Sequence, residues 1–247
     1  MPDSVAHYTR NIDHADNHFS RSAAPPVTRL DALFTGALEA LDGVGDPTGI
    51  YKTPARGTLR LETDGLVGDR QADRRHHGGP ERAVSHYPAE FYPDWARSFP
   101  RTPDAFAPGA FGENLSTAGM TEDSVCIGDI YRLGSATIQI SQPRSPCWKV
   151  SRRMGLRELA VHMADSGRCG WLYRVLTPGE VQTGDHFQRQ ARPRPEWPLA
   201  RLWLIRNDEQ AMPELLQAAA VLPELSENWR GLFANRLRNL RRRSGRP

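Results

Sequence analysis

The chain has 247 residues, 38% hydrophobic and 25% charged, a composition that fits a soluble globular protein long enough to bury a real core. No run approaches the roughly 18 apolar residues that span a bilayer, the polar first 26 residues lack the apolar core of an export signal, and a net charge of +3 is too small to argue for nucleic acid. The three cysteines, Cys126, Cys147 and Cys169, are odd in number and widely spaced, which argues against a disulfide framework and for a reducing cytoplasm.

Residues 1–26 are polar and end in Ala-Ala-Pro-Pro, and are expected to form a poorly ordered extension. From Val27 to Leu41 the apolar residues Leu30, Leu33, Phe34, Leu38 and Leu41 fit a helical stripe, and a strand with a turn fits as well. From Ile50 to Gln190 the pattern is short strands and tight turns with a few helices. Gly57–Leu61 and Gly65–Asp69 read as strand and turn. Glu81–Phe99 reads as a helix whose aromatics pack in the core. Ala136–Ser141 alternates like a half-buried strand, Leu156–Met163 reads as a helix, and Trp171–Leu176 as a strand.

Val125-Cys126-Ile127-Gly128-Asp129 and Val181-Gln182-Thr183-Gly184-Asp185 echo each other, and Gly68-Asp69 is a third case. Glycine supplies a positive φ and aspartate bonds nearby backbone, so these are turns between short strands, as in a small closed β-structure. The prolines of Arg192–Pro198 mark a linker. Beyond it, Leu199–Arg206, Gln210–Leu222 and Ser226–Arg243 read as helices, with Asp208 and Ser226 as N-caps of the second and third. The division expected is 1–26 extension, 27–190 main domain and 191–247 linker and helical module, the module packing on the main domain. From Arg230 onward there are seven arginines and no acidic residue, and without them the rest of the chain stands at −4. A solvated helix end is the preferred reading of this tail, with nucleic-acid binding a distant rival.

Chemistry concentrates at Ser141-Gln142-Pro143-Arg144-Ser145-Pro146-Cys147-Trp148-Lys149. Arg144 and Lys149 flank Cys147, and cationic neighbours favour the thiolate, the form that binds soft metals. A lone cysteine is more often structural. Gly68–Gly79 combines glycines, arginines and histidines suited to phosphate, but it is neither a Walker loop nor a dinucleotide fingerprint. Phe111–Leu115 and Thr48–Lys52 read as turns when taken singly.

In this order, Thr48–Lys52, Gly68–Gly79, Gly112–Leu115, Pro143–Cys147 and Gly170–Leu176 resemble the MOSC domain family, YiiM type. The helices after residue 190 resemble the three-helix domain that follows it there. The resemblance implies a mainly β fold with α, a MOSC β-barrel-like domain followed by a small all-α three-helix module. It implies the molybdenum cofactor (Mo-molybdopterin) and reduction of N-hydroxylated compounds such as 6-hydroxylaminopurine. It makes Cys147 the expected molybdenum ligand and places Lys52, His77, Asn114 and Arg144 near the cofactor. Lys52, Arg144 and the His77-Gly78-Gly79 turn would meet its phosphate, and His77 is the candidate acid. No flavin, haem or iron–sulfur motif is visible and pyridoxal phosphate is not expected, so electrons would come from a separate flavoprotein reductase. A cofactor carrier or sulfur-handling module without turnover is the alternative reading. Neither membrane nor nucleic acid is expected as a partner.

Overall fold

A computed structural model of the chain describes residues 27–42, 45–73, 77–243 and 245. The expected N-terminal extension, and Arg74-Arg75-His76 within the glycine- and histidine-rich loop, lie outside the described residues. Among the described residues there are fourteen strands: Thr28–Arg29 (β1), Ala32–Thr35 (β2), Glu39–Ala40 (β3), Pro47–Thr48 (β4), Thr53–Pro54 (β5), Leu59–Glu62 (β6), Gly65–Leu66 (β7), Val84–Pro88 (β8), Leu115–Thr117 (β9), Ile130–Leu133 (β10), Ala136–Pro143 (β11), Trp171–Thr177 (β12), Gly179–Val181 (β13) and His186–Ala191 (β14).

Nine of them form one sheet in the order β1-β14-β10-β11-β12-β8-β9-β2-β5. β1 and β2 are separated only by Leu30 and Asp31, yet β1 pairs with β14 at one end and β2 with β9 near the other. The chain can do this only if the sheet curls until its two ends meet. Leu30 N–H donates to Asp185 O (2.7 Å) and Asp31 N–H to Ser116 O (3.0 Å) across that seam, so a barrel closes there. The ambiguous stretch Val27–Leu41 is therefore extended. A helix would leave both sheet ends without the backbone partners that the seam supplies.

The interior follows the period of two along the first part of β11 and of β12. Ala136, Ile138 and Ile140 point inward with Leu133, Tyr131, Trp171, Tyr173 and Phe187, all buried. Fully burying an aliphatic or phenylalanine side chain of this kind contributes about 1.5–3 kcal/mol. The expected helix over Glu81–Phe99 is half wrong. Its first part is the central strand β8, buried at all five positions between β12 and β9, and only Tyr92–Ser98 (α1), entered through a 3-10 turn at Ala89–Phe91, is α-helical. The aromatics do pack in the core, Tyr87 edge-on to Phe111 (4.8 Å) and Trp95 Nε1 donating to Tyr87 Oη (2.6 Å). His86, also on β8, stacks on Trp171 (4.3 Å), with Nε2 2.8 Å from Thr117 Oγ1. Burial takes its pKa down to about 3, so His86 is a neutral core residue.

Two helices follow β11, Trp148–Met154 (α2) and Leu159–Ser166 (α3), the second starting three residues later than the pattern indicated. The terminal helices are Leu199–Asn207 (α4), Pro213–Ala220 (α5) and Glu227–Arg243 (α6). Ser226 caps α6 as expected, its Oγ accepting Trp229 N–H (3.3 Å). Asp208 does not cap α5. It closes α4, donating its N–H to Leu204 O (2.8 Å), while α5 begins at Pro213, whose missing N–H costs nothing at a first turn. Arg236 in the basic segment donates to Ile205 O (2.6 Å) and to Arg206 O and Asp208 O, so one of the seven arginines caps a helix end.

The helices share the barrel's core: Trp203, Leu216, Trp229 and Phe233 belong to the same buried cluster as Tyr173 and Trp171. Backbone links cross the junction, Ser226 N–H to Ser141 O (2.9 Å) and Ala200 N–H to Glu122 O (3.0 Å). Glu122 is buried there, accepting Gly170 N–H at 2.7 Å, and burial pushes its pKa up to about 7. A folded carboxyl that holds its proton longer than the unfolded one loses stability as pH rises from about 4.5 to about 7. Glu122→Gln should remove that decline and stabilise the protein by about 1–3 kcal/mol at pH 8 relative to wild type, with little change at pH 4.5. Urea titrations of both proteins at the two pH values check this. Equal differences at both would show that Glu122 does not titrate on folding. Among the described residues no helix is long and apolar enough to cross a membrane.

Candidate functional site

The three Gly-Asp turns share one backbone geometry and differ in where the carboxylate goes. Gly68, Gly128 and Gly184 have φ of 94°, 80° and 97°, a region that favours glycine. The following aspartate N–H closes each turn, to Leu66 O (3.0 Å), Cys126 O (3.1 Å) and Gln182 O (3.1 Å). Asp129 and Asp185 fold back on their own turns, accepting the N–H of Cys126 (3.0 Å) and Gln182 (2.8 Å). Asp69 does not. Its carboxylate reaches across to accept Gly36 N–H (2.9 Å) and Asn114 Nδ2 (3.0 Å) and to form an ion pair with Lys52, whose side chain is 6% exposed. One of three similar turns has thus been turned into an anchor.

Asn114 precedes β9 and is fully used by the protein. Its Oδ1 accepts Ser85 N–H (3.1 Å) and Ser85 Oγ (3.0 Å), and its Nδ2 donates to Phe34 O (3.2 Å) and Asp69. That exhausts a carboxamide. The neighbouring Glu113 is spent on local structure, accepting the N–H groups of Gly109 (2.5 Å) and Phe111 (3.1 Å) and the Tyr92 hydroxyl (2.5 Å). Asn114 therefore positions Asp69 and Lys52. Burial lowers the Lys52 pKa, the nearby Asp69 carboxylate opposing that shift and Arg144 adding to it.

These groups form the floor of a cavity of about 640 Å³. The end of β11 supplies one wall, where Arg144 N–H donates to Gly170 O (2.9 Å) and its Nη2 to Phe111 O (2.5 Å). Its Nη1 is buried with no hydrogen-bond partner among the described residues, as is Gln142 Oε1. Leaving a buried polar atom unpaired costs about 1–3 kcal/mol, and more for a charged group. Cys147, partly exposed, stands at the mouth just before α2, its Sγ 3.8 Å from His77 Nε2. Burial lowers the His77 pKa, and the Arg144 and Lys149 charges lower it further. Arg70, Arg82 and Lys149 also line the cavity, against the carboxylates Asp69 and Asp73. The walls are thus predominantly cationic.

Of the residues singled out in the sequence, Lys52, His77, Asn114, Arg144 and Cys147 line this one cavity. Gly78 and Gly79 do not. They shape the turn: Gly79 has φ of 89°, and a Cβ on Gly78 would come within 2.8 Å of Gln71 Oε1. Lys149 also donates to Pro47 O (3.1 Å), tying β4 to the α2 wall. Asp69 and Gln142 do not stand out in the sequence, although Asp69 lies in Gly68–Gly79 and Gln142 in Ser141–Lys149. Asp69 reads as a turn residue and Gln142 as part of a strand, and only tertiary partners set them apart. The helical module adds Asn228, from the first turn of α6, to the cavity lining. Such an arrangement of cations, a thiol and an imidazole can attract an anionic ligand.

Residues 73–188 match the MOSC domain and residues 197–240 the YiiM-like, 3-alpha helix domain. Protein YiiM of Escherichia coli (strain K12) is 42% identical over 200 residues, covering 80% of this chain and 87% of that protein. A protein of Gibberella moniliformis (strain M3125 / FGSC 7600) named Reductase is 37% identical over 175 residues, 70% of this chain and 31% of that protein. Among solved structures, YiiM from Escherichia coli superposes with a TM-score of 0.73 at 33% identity, covering 90% of this chain and 95% of that one. YiiM from Geobacillus stearothermophilus gives 0.72 at 29% identity, over 86% and 100%.

Proposed function

The chain belongs to the YiiM-like family of MOSC-domain proteins, and on that premise we propose that it is a molybdenum-cofactor-dependent reductase of N-hydroxylated compounds such as 6-hydroxylaminopurine. MOSC domains are associated with this cofactor, and one relative carries the name Reductase. The observation that carries the reading is the orphaned, buried Nη1 of Arg144 in a cationic cavity with a thiol at its mouth. A guanidinium donor without a partner calls for an anionic oxygen, and a cysteine sulfur is a soft ligand suited to molybdenum. The residues present fit the cofactor's phosphate and metal.

In this reading Arg144, Arg82 and Lys149 meet the phosphate and Cys147 ligates the metal. Lys52, already paired with Asp69, adds positive potential from the floor. When bound, the cofactor supplies the two electrons that, with two protons, convert R–NHOH to R–NH2 and water. His77 Nε2, 3.8 Å from the Cys147 sulfur that would hold the metal, is the group that would deliver a proton to the departing oxygen. His77→Ala should lower kcat about 100-fold with molybdenum content unchanged, and a kcat within twofold of wild type would remove the histidine from the reaction. Electrons come from a separate flavoprotein reductase.

The decisive experiment is molybdenum and pterin analysis of the purified protein, with reduction of 6-hydroxylaminopurine assayed alongside in the presence of an electron donor. Stoichiometric cofactor with turnover supports the reductase. Stoichiometric cofactor without turnover would make the protein a cofactor carrier, and absence of both would end the reading.

A further inference from the structure

Gln142 has no role in the scheme above, and it is one of two orphaned polar groups in the cavity wall. It is 4% exposed. Its Nε2 faces Pro143 O at 3.4 Å, and the flipped amide would set Oε1 against that carbonyl, acceptor to acceptor. Oε1 is then an acceptor with no partner among the described residues, on a residue that lines the cavity. The local backbone explains why it is there. Burial along β11 alternates up to Ile140 and then becomes continuous, because the register against β12 shifts between Ile140 and Gln142. Such an irregularity re-aims a side chain. Ser141 holds it in place, its Oγ 2.6 Å from Glu81 O and its carbonyl accepting Ser226 N–H from the helical module. Two residues on, Arg144 offers the complementary orphan, a donor.

We propose that Gln142 reads the N–H edge of a nitrogen heterocycle bound in the cavity, its Oε1 accepting a ring or exocyclic N–H while Arg144 Nη1 donates to an oxygen of the same bound assembly. The acceptor excludes an anion as its own partner, since two acceptors repel. It calls for an N–H or O–H donor, and both a pterin and an aminopurine carry N–H groups on their ring edges. The inference rests on the reductase reading for these two candidate ligands and not for the existence of the subsite.

Gln142→Leu tests it. In ligand-free protein the variant removes an unpaired buried acceptor, so its thermal midpoint should rise by about 2–4 °C. The ligand should suffer. A several-fold drop in pterin content assigns the acceptor to the cofactor. Unchanged pterin content with a roughly tenfold higher KM for 6-hydroxylaminopurine, and an unchanged KM for an aliphatic hydroxylamine, assigns it to the substrate. Free pterin and adenine serve as probes by thermal shift even if the protein reduces nothing, which separates failure of this subsite from failure of the reductase reading. Gln142→Met, unbranched and of similar length, replaces the leucine variant if that one does not fold. Pterin content, KM and probe shifts all within twofold of wild type would overturn the proposal, as would equal losses on both substrates at unchanged pterin content.

Discussion

Cys147→Ser is expected to purify as a folded protein with molybdenum content and N-hydroxy reductase activity at least about 100-fold below wild type, a floor set by what loss of an outer-shell partner alone costs a metal site. The side chain is partly exposed and its Sγ contacts only His77 among hydrogen-bonding groups described here, so the substitution should change stability by no more than about 0.5 kcal/mol. The chemistry changes far more than the packing. A serine hydroxyl is a hard donor that stays protonated at neutral pH, whereas the thiol can give the soft, anionic sulfur that the metal prefers. The cationic wall is untouched, so pterin should be retained in excess of molybdenum. Metal analysis, pterin fluorescence and the reductase assay on one preparation read all three quantities. Full molybdenum with full activity would show that Cys147 is not the ligand.

The second large effect is expected in the cavity floor. Asp69→Ala leaves the Lys52 ammonium, the Gly36 N–H and the Asn114 Nδ2 donor without the acceptor they share, and should destabilise the protein by about 3–5 kcal/mol near neutral pH. Asp69→Asn keeps an acceptor oxygen and should lose less. The deficit should depend on pH in a set direction. Burial already lowers the Lys52 pKa, and the Asp69 carboxylate is the main influence opposing it. Without the carboxylate Lys52 gives up its proton still more readily in the folded state than in the unfolded one. The unfolded state then binds more protons, so stability rises with pH up to the ordinary lysine range, and the Asp69→Ala deficit shrinks between pH 6.5 and 9.5. Urea denaturation at the two pH values checks both size and slope. A loss under about 1 kcal/mol at each would mean that Asp69 anchors nothing.

Much of the barrel was legible in the chain. Ala136–Ser141 alternates because a sheet with one buried face must alternate. The Gly-Asp turns declare themselves because few residues accept a positive φ. The resemblance carried by five ordered motifs placed Lys52, His77, Asn114, Arg144 and Cys147 together, and they line one cavity. The misread elements have a common cause. Val84–Pro88 is buried on both faces, so it lacks alternation, and its aromatics run on into α1 at a spacing that mimics one helix. Val27–Leu41 shows helical spacing, yet its backbone is claimed by two separate sheet ends.

By itself, then, the sequence determined which residues could carry chemistry: a cysteine between cations, a histidine beside glycines, a lysine after a turn. Local rules decide these things, and they can be read within a few residues. Only the tertiary structure decided how those groups are used. Three Gly-Asp turns are nearly alike in sequence, but one carboxylate alone faces a buried lysine. Asn114 looks like a ligand group until all four of its hydrogen bonds are found within the protein. Arg144 and Gln142 differ from other polar residues only in what they fail to touch. Hydrogen-bond satisfaction is a property of distant segments brought together, and no local pattern encodes it.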